Sequence, residues 1–285
     1  MSAIAKVAIL TGSAGGIGQE ITKILAKQEW NLGLVNRSQQ KTELQLAELR
    51  ESYPNQTFTG FIANLMDISD INRIAEEIGS KYPEISALYN IAGLLTDKRI
   101  TSPQNIEGHF ALNTLAPYLL TQRLRKQLSA GAKGDRQSVV VNFSSSAING
   151  VKELDVATLT NPESIGGLMG AYANSKAALT AVSHLMQEEL SEDGILIEVV
   201  DPGPTKTSMT GSSDGMPWFL RLLRPLIFKS AKLQSQKLVS AVEAAVSEEK
   251  SGLFISEGQR KSYPSTVLNK EVQLEIKQLL DAQIA

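Results

Sequence analysis

The chain has 285 residues, 42% of them hydrophobic and 20% charged, with a formal net charge of -2 and no cysteine. That length supports a substantial core and one large α/β domain, and the composition is that of a globular chain. The near-neutral charge offers no broad positive field to a polyanionic backbone, so nucleic acid is not an expected partner. The missing cysteines exclude disulfides, thiolate catalysis and Cys-ligated zinc.

The opening MSAIAKVAILTGSAGG holds only a brief apolar run before its glycines, too short for a signal peptide's core or a membrane span, and a cytoplasmic location is expected. Residues 7–10 read as a strand, 17–28 as a helix, 32–35 as a strand and 39–50 as a polar-faced helix. Strands follow at 58–62 and 85–89, with a helix near 70–80 between them. Pro117 interrupts a helical run over 109–128, predicting a kink or a division there. Strands at 139–143 and 195–200 flank a long helix over 171–190; Glu198 breaks the apolar run of the second, and Phe254 and Ile255 suit a last short strand. Short runs apolar on both faces suit a parallel sheet covered on each side. The expected fold is one doubly wound α/β domain over residues 1–285, a Rossmann-type three-layer sandwich around a central, mainly parallel sheet. His109 and His184 lack a metal-site spacing and read as helix-surface or core residues.

The first specific signal is Thr11-Gly12-Ser13-Ala14-Gly15-Gly16-Ile17-Gly18, between a strand and a helix. Glycines there permit a tight turn and close backbone approach, and the helix N-terminus can receive a pyrophosphate. Without a following Lys-Ser or Lys-Thr it is not a P-loop. After the second strand, Leu34-Val35-Asn36-Arg37-Ser38 lacks the carboxylate that commonly holds the ribose hydroxyls of NAD. Arg37 and Ser38 instead suit the 2′-phosphate of NADP.

Near the start of the long helix stands Tyr172-Ala173-Asn174-Ser175-Lys176, with the tyrosine and lysine one helical turn apart. Alone, the pattern describes a surface pair as well as a site. A phenol can move the proton that accompanies hydride transfer, but its pKa near 10 calls for electrostatic help, which the Lys176 cation would supply.

In the order of these motifs the chain resembles the short-chain dehydrogenase/reductase family almost throughout. Leu88-Tyr89-Asn90-Ile91-Ala92-Gly93 is similar to its NNAG segment, with isoleucine where the second asparagine stands, and Asn64-Leu65 to its Asp-Leu pair. The resemblance implies cofactor contacts from Gly12, Ser13, Gly16, Ile17, Gly18, Asn64, Leu65, Asn90, Ala92 and Gly93. It adds Tyr172, Lys176 and, from a PGxxxT-like segment, Pro202, Gly203, Thr205 and Thr207. Asn142-Phe143-Ser144-Ser145 resembles the segment ending in the catalytic serine; Ser145 takes that role, with Ser144 and Ser146 as neighbouring alternatives. Asn113 matches the helix asparagine that supports the lysine.

The longer interval between Ser145 and Tyr172, with Lys152, Glu153, Asp155 and Glu163, resembles retinol-dehydrogenase-like and protochlorophyllide-reductase-like members and reads as a solvated loop. The implied activity is NADP-dependent hydride transfer between cofactor and a small-molecule carbonyl or alcohol. C=C reduction and a non-catalytic cofactor-binding scaffold stand as alternatives. The family implies a homodimer or homotetramer. Residues 216–228, MPWFLRLLRPLIF, read as an apolar substrate cover within a lid at 210–230, which implies an apolar substrate. A packed surface helix and a peripheral membrane contact are the rivals.

Overall fold

The structure, a computed structural model, describes residues 6–133, 136–167, 169–205 and 229–284. Thr207 and nearly all of the expected lid at 210–230 lie outside the described residues.

Alternating apolar runs and amphipathic segments produce the expected α/β alternation. In chain order they are β1 Val7–Thr11, α1 Gly16–Lys27, β2 Asn31–Asn36, α2 Gln39–Ser52, β3 Phe58–Ile62, α3 Ile68–Lys81 and β4 Ala87–Asn90. After β4 come α4 Gly108–Phe110, a π-helical turn Ala111–Leu115, α5 Ala116–Gly131, β5 Ser138–Phe143, α6 Gly170–Ser191 and β6 Ile195–Asp201. The described chain closes with α7 Ala231–Ser247, β7 Leu253–Ser256, β8 Gln259–Lys261 and α8 Lys270–Ile284. The strands form one sheet in the order β3-β2-β1-β4-β5-β6-β7-β8, parallel except for β8, which runs antiparallel to β7. The order reverses between β1 and β4, the place where an open α/β sheet leaves a crevice at its strand ends.

Alternate residues of each strand feed opposite cores. Ile9, Val35, Ile195, Ile197 and Val199 join the core beneath α3, α5, α6 and α8, whereas Ala8, Leu10, Leu32, Leu34, Leu196 and Val200 join that beneath α1 and α7. Glu198 occupies a fully buried position in β6, accepting the Leu253 N–H at 3.0 Å, and burial pushes its carboxyl up to about 8. Burial thus favours its neutral form, which reconciles a carboxyl with the apolar run.

The run over 108–131 is divided as Pro117 requires. Proline cannot donate to the carbonyl four residues back, and the turn before it widens, with the Ala116 N–H reaching the Ala111 carbonyl. In the insertion, Lys152, Glu153, Asp155 and Glu163 are exposed, while Val151, Leu154 and Leu159 anchor it to the core. The helix α8 lies along α6, buries Ile276 and Leu280 and receives a Tyr118 hydroxyl hydrogen bond at Asp281. None of the described helices is long and apolar enough to cross a membrane.

The close of α5 against the entry to β4 yields a stability prediction. A Cβ on Gly131 would lie 2.1 Å from the Ile85 carbonyl oxygen, a backbone atom with no room to give. Gly131→Ala should cost about 1–3 kcal/mol by overpacking, read as a lower urea midpoint; an unchanged midpoint would contradict the packing.

Candidate active site

The site begins at the strand ends. Thr11, Asn90 and Asn142 stand side by side in the registers of β1, β4 and β5. The Thr11 hydroxyl accepts the Ile91 and Ala92 N–H groups at 3.0 and 3.1 Å, pulling the chain after β4 over the glycine turn. Gly12 has φ +67°, and a Cβ there would meet the Ala92 Cα at 2.9 Å; one on Gly18 would meet the Gly12 carbonyl oxygen at 2.2 Å. The glycines are thus needed for the turn and for seating α1. That helix has no side-chain cap and no acidic residue in its first turn, leaving its N-terminal N–H groups for an acceptor in the cleft.

A cleft of about 450 Å³ runs from this turn to α6. Gly12, Gly16, Ile17, Gly18, Arg37, Asn64, Leu65, Ala92, Gly93, Tyr172, Lys176 and Pro202 all line it. Arg37 is exposed at one end. The Asn64 side chain accepts the Met66 N–H at 3.2 Å while its backbone N–H is held by Asp70 at 2.9 Å.

Other expected contacts lie off the cleft surface. The Ser13 hydroxyl is fully buried, donating to Gln45 at 3.0 Å and accepting from Asn36 at 2.9 Å, so it braces the turn from behind. Ser38 caps α2 through the Lys41 N–H at 3.4 Å, which leaves its own O–H proton free to donate. Asn90 points into the sheet and donates to Asn142 at 2.8 Å; its neighbours Ile91, Ala92 and Gly93 line the cleft instead. Gly203, with φ +66°, donates its N–H to Asp201, and Thr205 donates to the Gly203 carbonyl at 3.0 Å and pairs with Lys229 across the undescribed segment. Sequence reasoning passed over Met66, Leu94, Ile100 and Leu112, which form an apolar wall of the cleft.

At the other end, α6 brings Tyr172 and Lys176 together on its inner face. The buried Lys176 ammonium donates to the Phe143 carbonyl at 2.5 Å, and burial pushes its pKa down to about 7. Burial raises the Tyr172 phenol above its ordinary value, a hydrogen bond with Ser145 pulls against this, and the Asp201 charge adds to the rise. The expectation that Lys176 steadies the tyrosinate is not met in this arrangement: its ammonium is turned to Phe143, and Ser145 is the group that eases the phenol's ionisation. In the serine cluster, Ser144 lines the cleft but is bonded to Thr180 at 2.7 Å, Ser146 is exposed, and Ser145 accepts the Ala147 N–H at 3.2 Å and is the one that lowers the Tyr172 pKa.

Asn113 is fully buried. Its amide accepts the Leu94 N–H at 2.7 Å and donates to the Leu94 carbonyl and Ser175 hydroxyl, both at 3.0 Å. Ser175 donates in turn to the Tyr172 carbonyl at 2.7 Å. Asn113 therefore supports the start of α6 and the 94-loop, with no described contact to Lys176.

Comparisons with known proteins place the whole chain. The sequence model of the short chain dehydrogenase family matches residues 6–217. Human polyprenol dehydrogenase is 27% identical over 251 residues, 87% of this chain and 74% of that protein. Mouse retinol dehydrogenase 13 is 26% identical over 271 residues, covering 91% and 78%. An NADPH-bound carbonyl reductase from chicken fatty liver superposes with a TM-score of 0.70 at 21% identity, over 92% of this chain and all of that one.

Burial of Lys176 predicts a pH signature in the protein without cofactor. A lysine with a depressed folded pKa penalises folding below its unfolded value near 10.5, and the penalty is full once pH falls to about 7. Lys176→Met should therefore be the more stable protein at pH 7, by urea midpoint, with the gap narrowing as pH rises towards 10. A gap constant across that range would mean that the ammonium is not desolvated.

Proposed function

Since the chain belongs to the short chain dehydrogenase family, and is thereby an oxidoreductase using a nicotinamide cofactor, we propose that it is NADP-dependent and interconverts a carbonyl and its alcohol on an apolar substrate. The observation that carries this reading is one cleft that holds Tyr172 and Lys176 of α6 at one end and the glycine turn and Arg37 at the other, with Ser145 easing the ionisation of the Tyr172 phenol. The residues present fit a dinucleotide: an uncapped helix N-terminus faces the cleft, and no carboxylate follows β2. Arg37 and the Ser38 hydroxyl would hold a 2′-phosphate, the turn from Gly12 to Gly18 the pyrophosphate, and Lys176 the nicotinamide ribose. The apolar wall of Met66, Leu94, Ile100 and Leu112 supports an apolar substrate.

When bound, the nicotinamide supplies the hydride, or takes it in the reverse direction. Tyr172 donates its phenolic proton to the oxygen that gains charge during carbonyl reduction. Its raised pKa keeps that proton in place at neutral pH. Ser145 hydrogen-bonds the same oxygen, holding the carbonyl for attack and stabilising the developing alkoxide. In the oxidative direction the proton moves back, aided by the Ser145 bond that opposes the burial effect.

Turnover of NADPH with an aldehyde and ketone panel tests the chemistry. Tyr172→Phe should lower kcat by about 10²–10⁴-fold while still binding NADPH; a folded, cofactor-binding variant with wild-type turnover refutes the proton-transfer role. Cofactor binding by the wild type without turnover of any carbonyl favours a scaffold. For cofactor choice, titration of NADPH and NADH into wild type and Arg37→Ala should show an NADPH preference that falls selectively in the variant. Equal or tighter NADH binding by the wild type defeats the assignment.

A further inference from the structure

Outside the expected set stands a buried pair whose chemistry the fold alone does not require. Glu107 and His109 flank Gly108 where the chain turns into α4, and both are buried, at 3% and 1% exposure. Glu107 caps the helix, one carboxylate oxygen accepting the Phe110 N–H at 2.9 Å and the other meeting His109 Nδ1 at 2.8 Å. Burial pushes this carboxyl up, but hydrogen bonds from the His109 side chain and from the His109 and Phe110 backbone outweigh it and hold it below its ordinary value. The second ring nitrogen, Nε2, lies 3.2 Å from the Thr96 backbone N–H. A backbone N–H can only donate, so Nε2 must accept; the proton then sits on Nδ1 and points at Glu107. Geometry thus selects one tautomer of a neutral imidazole.

What this tautomer holds is next to the chemistry. The ring meets Tyr172 edge to face, with centroids 6.3 Å apart. Thr96 belongs to the loop whose Leu94 lines the cleft and is clamped by Asn113 through both its N–H and its carbonyl. His109 and Asn113 are four residues apart and grip the same loop at successive points, while the Gly108 N–H takes the Ile100 carbonyl at 2.8 Å. We propose that His109 is a positioning residue: Glu107 holds it as the Nδ1–H tautomer, and the ring in turn fixes the Thr96 loop and the Tyr172 ring relative to the substrate carbonyl. The inference rests on the function proposed above for its kinetic consequence, but not for the pinned loop itself.

Both oxygens of Glu107 are in use, so the carboxylate is not interchangeable with an amide. In Glu107→Gln one hydrogen bond must face an NH₂ group. If that is the one to His109, Nδ1 becomes the acceptor and the proton moves to Nε2, against the Thr96 N–H. The decisive comparison uses His109→Phe, which keeps a ring beside Tyr172 but offers Thr96 no acceptor, and His109→Gln, whose amide oxygen reaches about as far as Nε2. Nitrogen-15 NMR of the wild-type ring should report the Nδ1–H form. Hydrogen exchange should show the Thr96 amide protected in wild type and His109→Gln and exposed in His109→Phe. With a carbonyl substrate, kcat should fall by about 10–100-fold in His109→Phe and recover most of that in His109→Gln. NADPH affinity should change by no more than about twofold. The double variant Glu107→Gln/His109→Phe removes the unpaired buried charge and supplies a folded protein with the same defect if the single variant unfolds. An Nε2–H wild-type ring, or Thr96 protection unchanged in the Phe variants, overturns the inference even where activity drops. Wild-type protein that turned over no carbonyl, yet kept the tautomer and the Thr96 protection, would refute the proposed function and still support the pinned loop.

Discussion

Much of this molecule depends on a chain of buried hydrogen bonds at the C-terminal ends of the central strands. Thr11 gathers the two N–H groups after β4, Asn90 donates to Asn142 at 2.8 Å, and Asn142 donates to Ser183 on α6 at 2.8 Å. Buried polar groups pay a large penalty when unpaired, so these pairings favour this register and spacing. It joins the glycine turn of β1 to the helix carrying Tyr172 and Lys176. The two ends of the cleft are therefore set by the same bonds that fix the sheet.

Around that frame the chemistry is tuned chiefly by burial. Lys176 is pushed towards neutrality and Tyr172 towards its protonated form, with Ser145 the one described hydrogen-bonding group that opposes the latter. A low-dielectric site of this kind strengthens each polar contact made inside it, and an anion bound nearby would favour the charged form of the lysine. The supporting groups are polar and buried as well: Asn113 and His109 hold the loop at Leu94 and Thr96, and Asp201 holds the turn at Gly203. Preorganisation is thus distributed over α4, the π turn and β6 rather than confined to the groups that meet the substrate.

Most of the fold was legible because its determinants are local. The boundaries of β3 agree residue for residue, and the glycine spacing and the Tyr172–Lys176 turn carry their reasons in the sequence itself. The miss over Asn90 has a different origin. Whether a strand-end asparagine faces the cleft or its neighbour in the sheet is decided by pairing with Asn142, 52 residues away. Ser13 is similar, since its hydroxyl is taken by Gln45, 32 residues on. His109 read as core or surface because its partner Thr96 lies in a loop with no periodic signal. The helices α7 and α8 went unread because their buried faces are short and partly polar; Gln234, Ser235 and Gln273 sit among the residues they bury.

In the function proposed here, one cleft running from the glycine turn to α6 binds NADP so that Tyr172 and Ser145 meet a carbonyl held against the nicotinamide. The most direct measurement is a crystal structure of the complex with NADPH and an unreactive carbonyl analogue. The complex should show the 2′-phosphate at Arg37, the pyrophosphate at the start of α1, Lys176 turned from Phe143 to the ribose, and the analogue's oxygen within hydrogen-bond reach of both Tyr172 and Ser145. A dinucleotide bound elsewhere, or one in this cleft that leaves the two hydroxyls facing away from the nicotinamide, would contradict it.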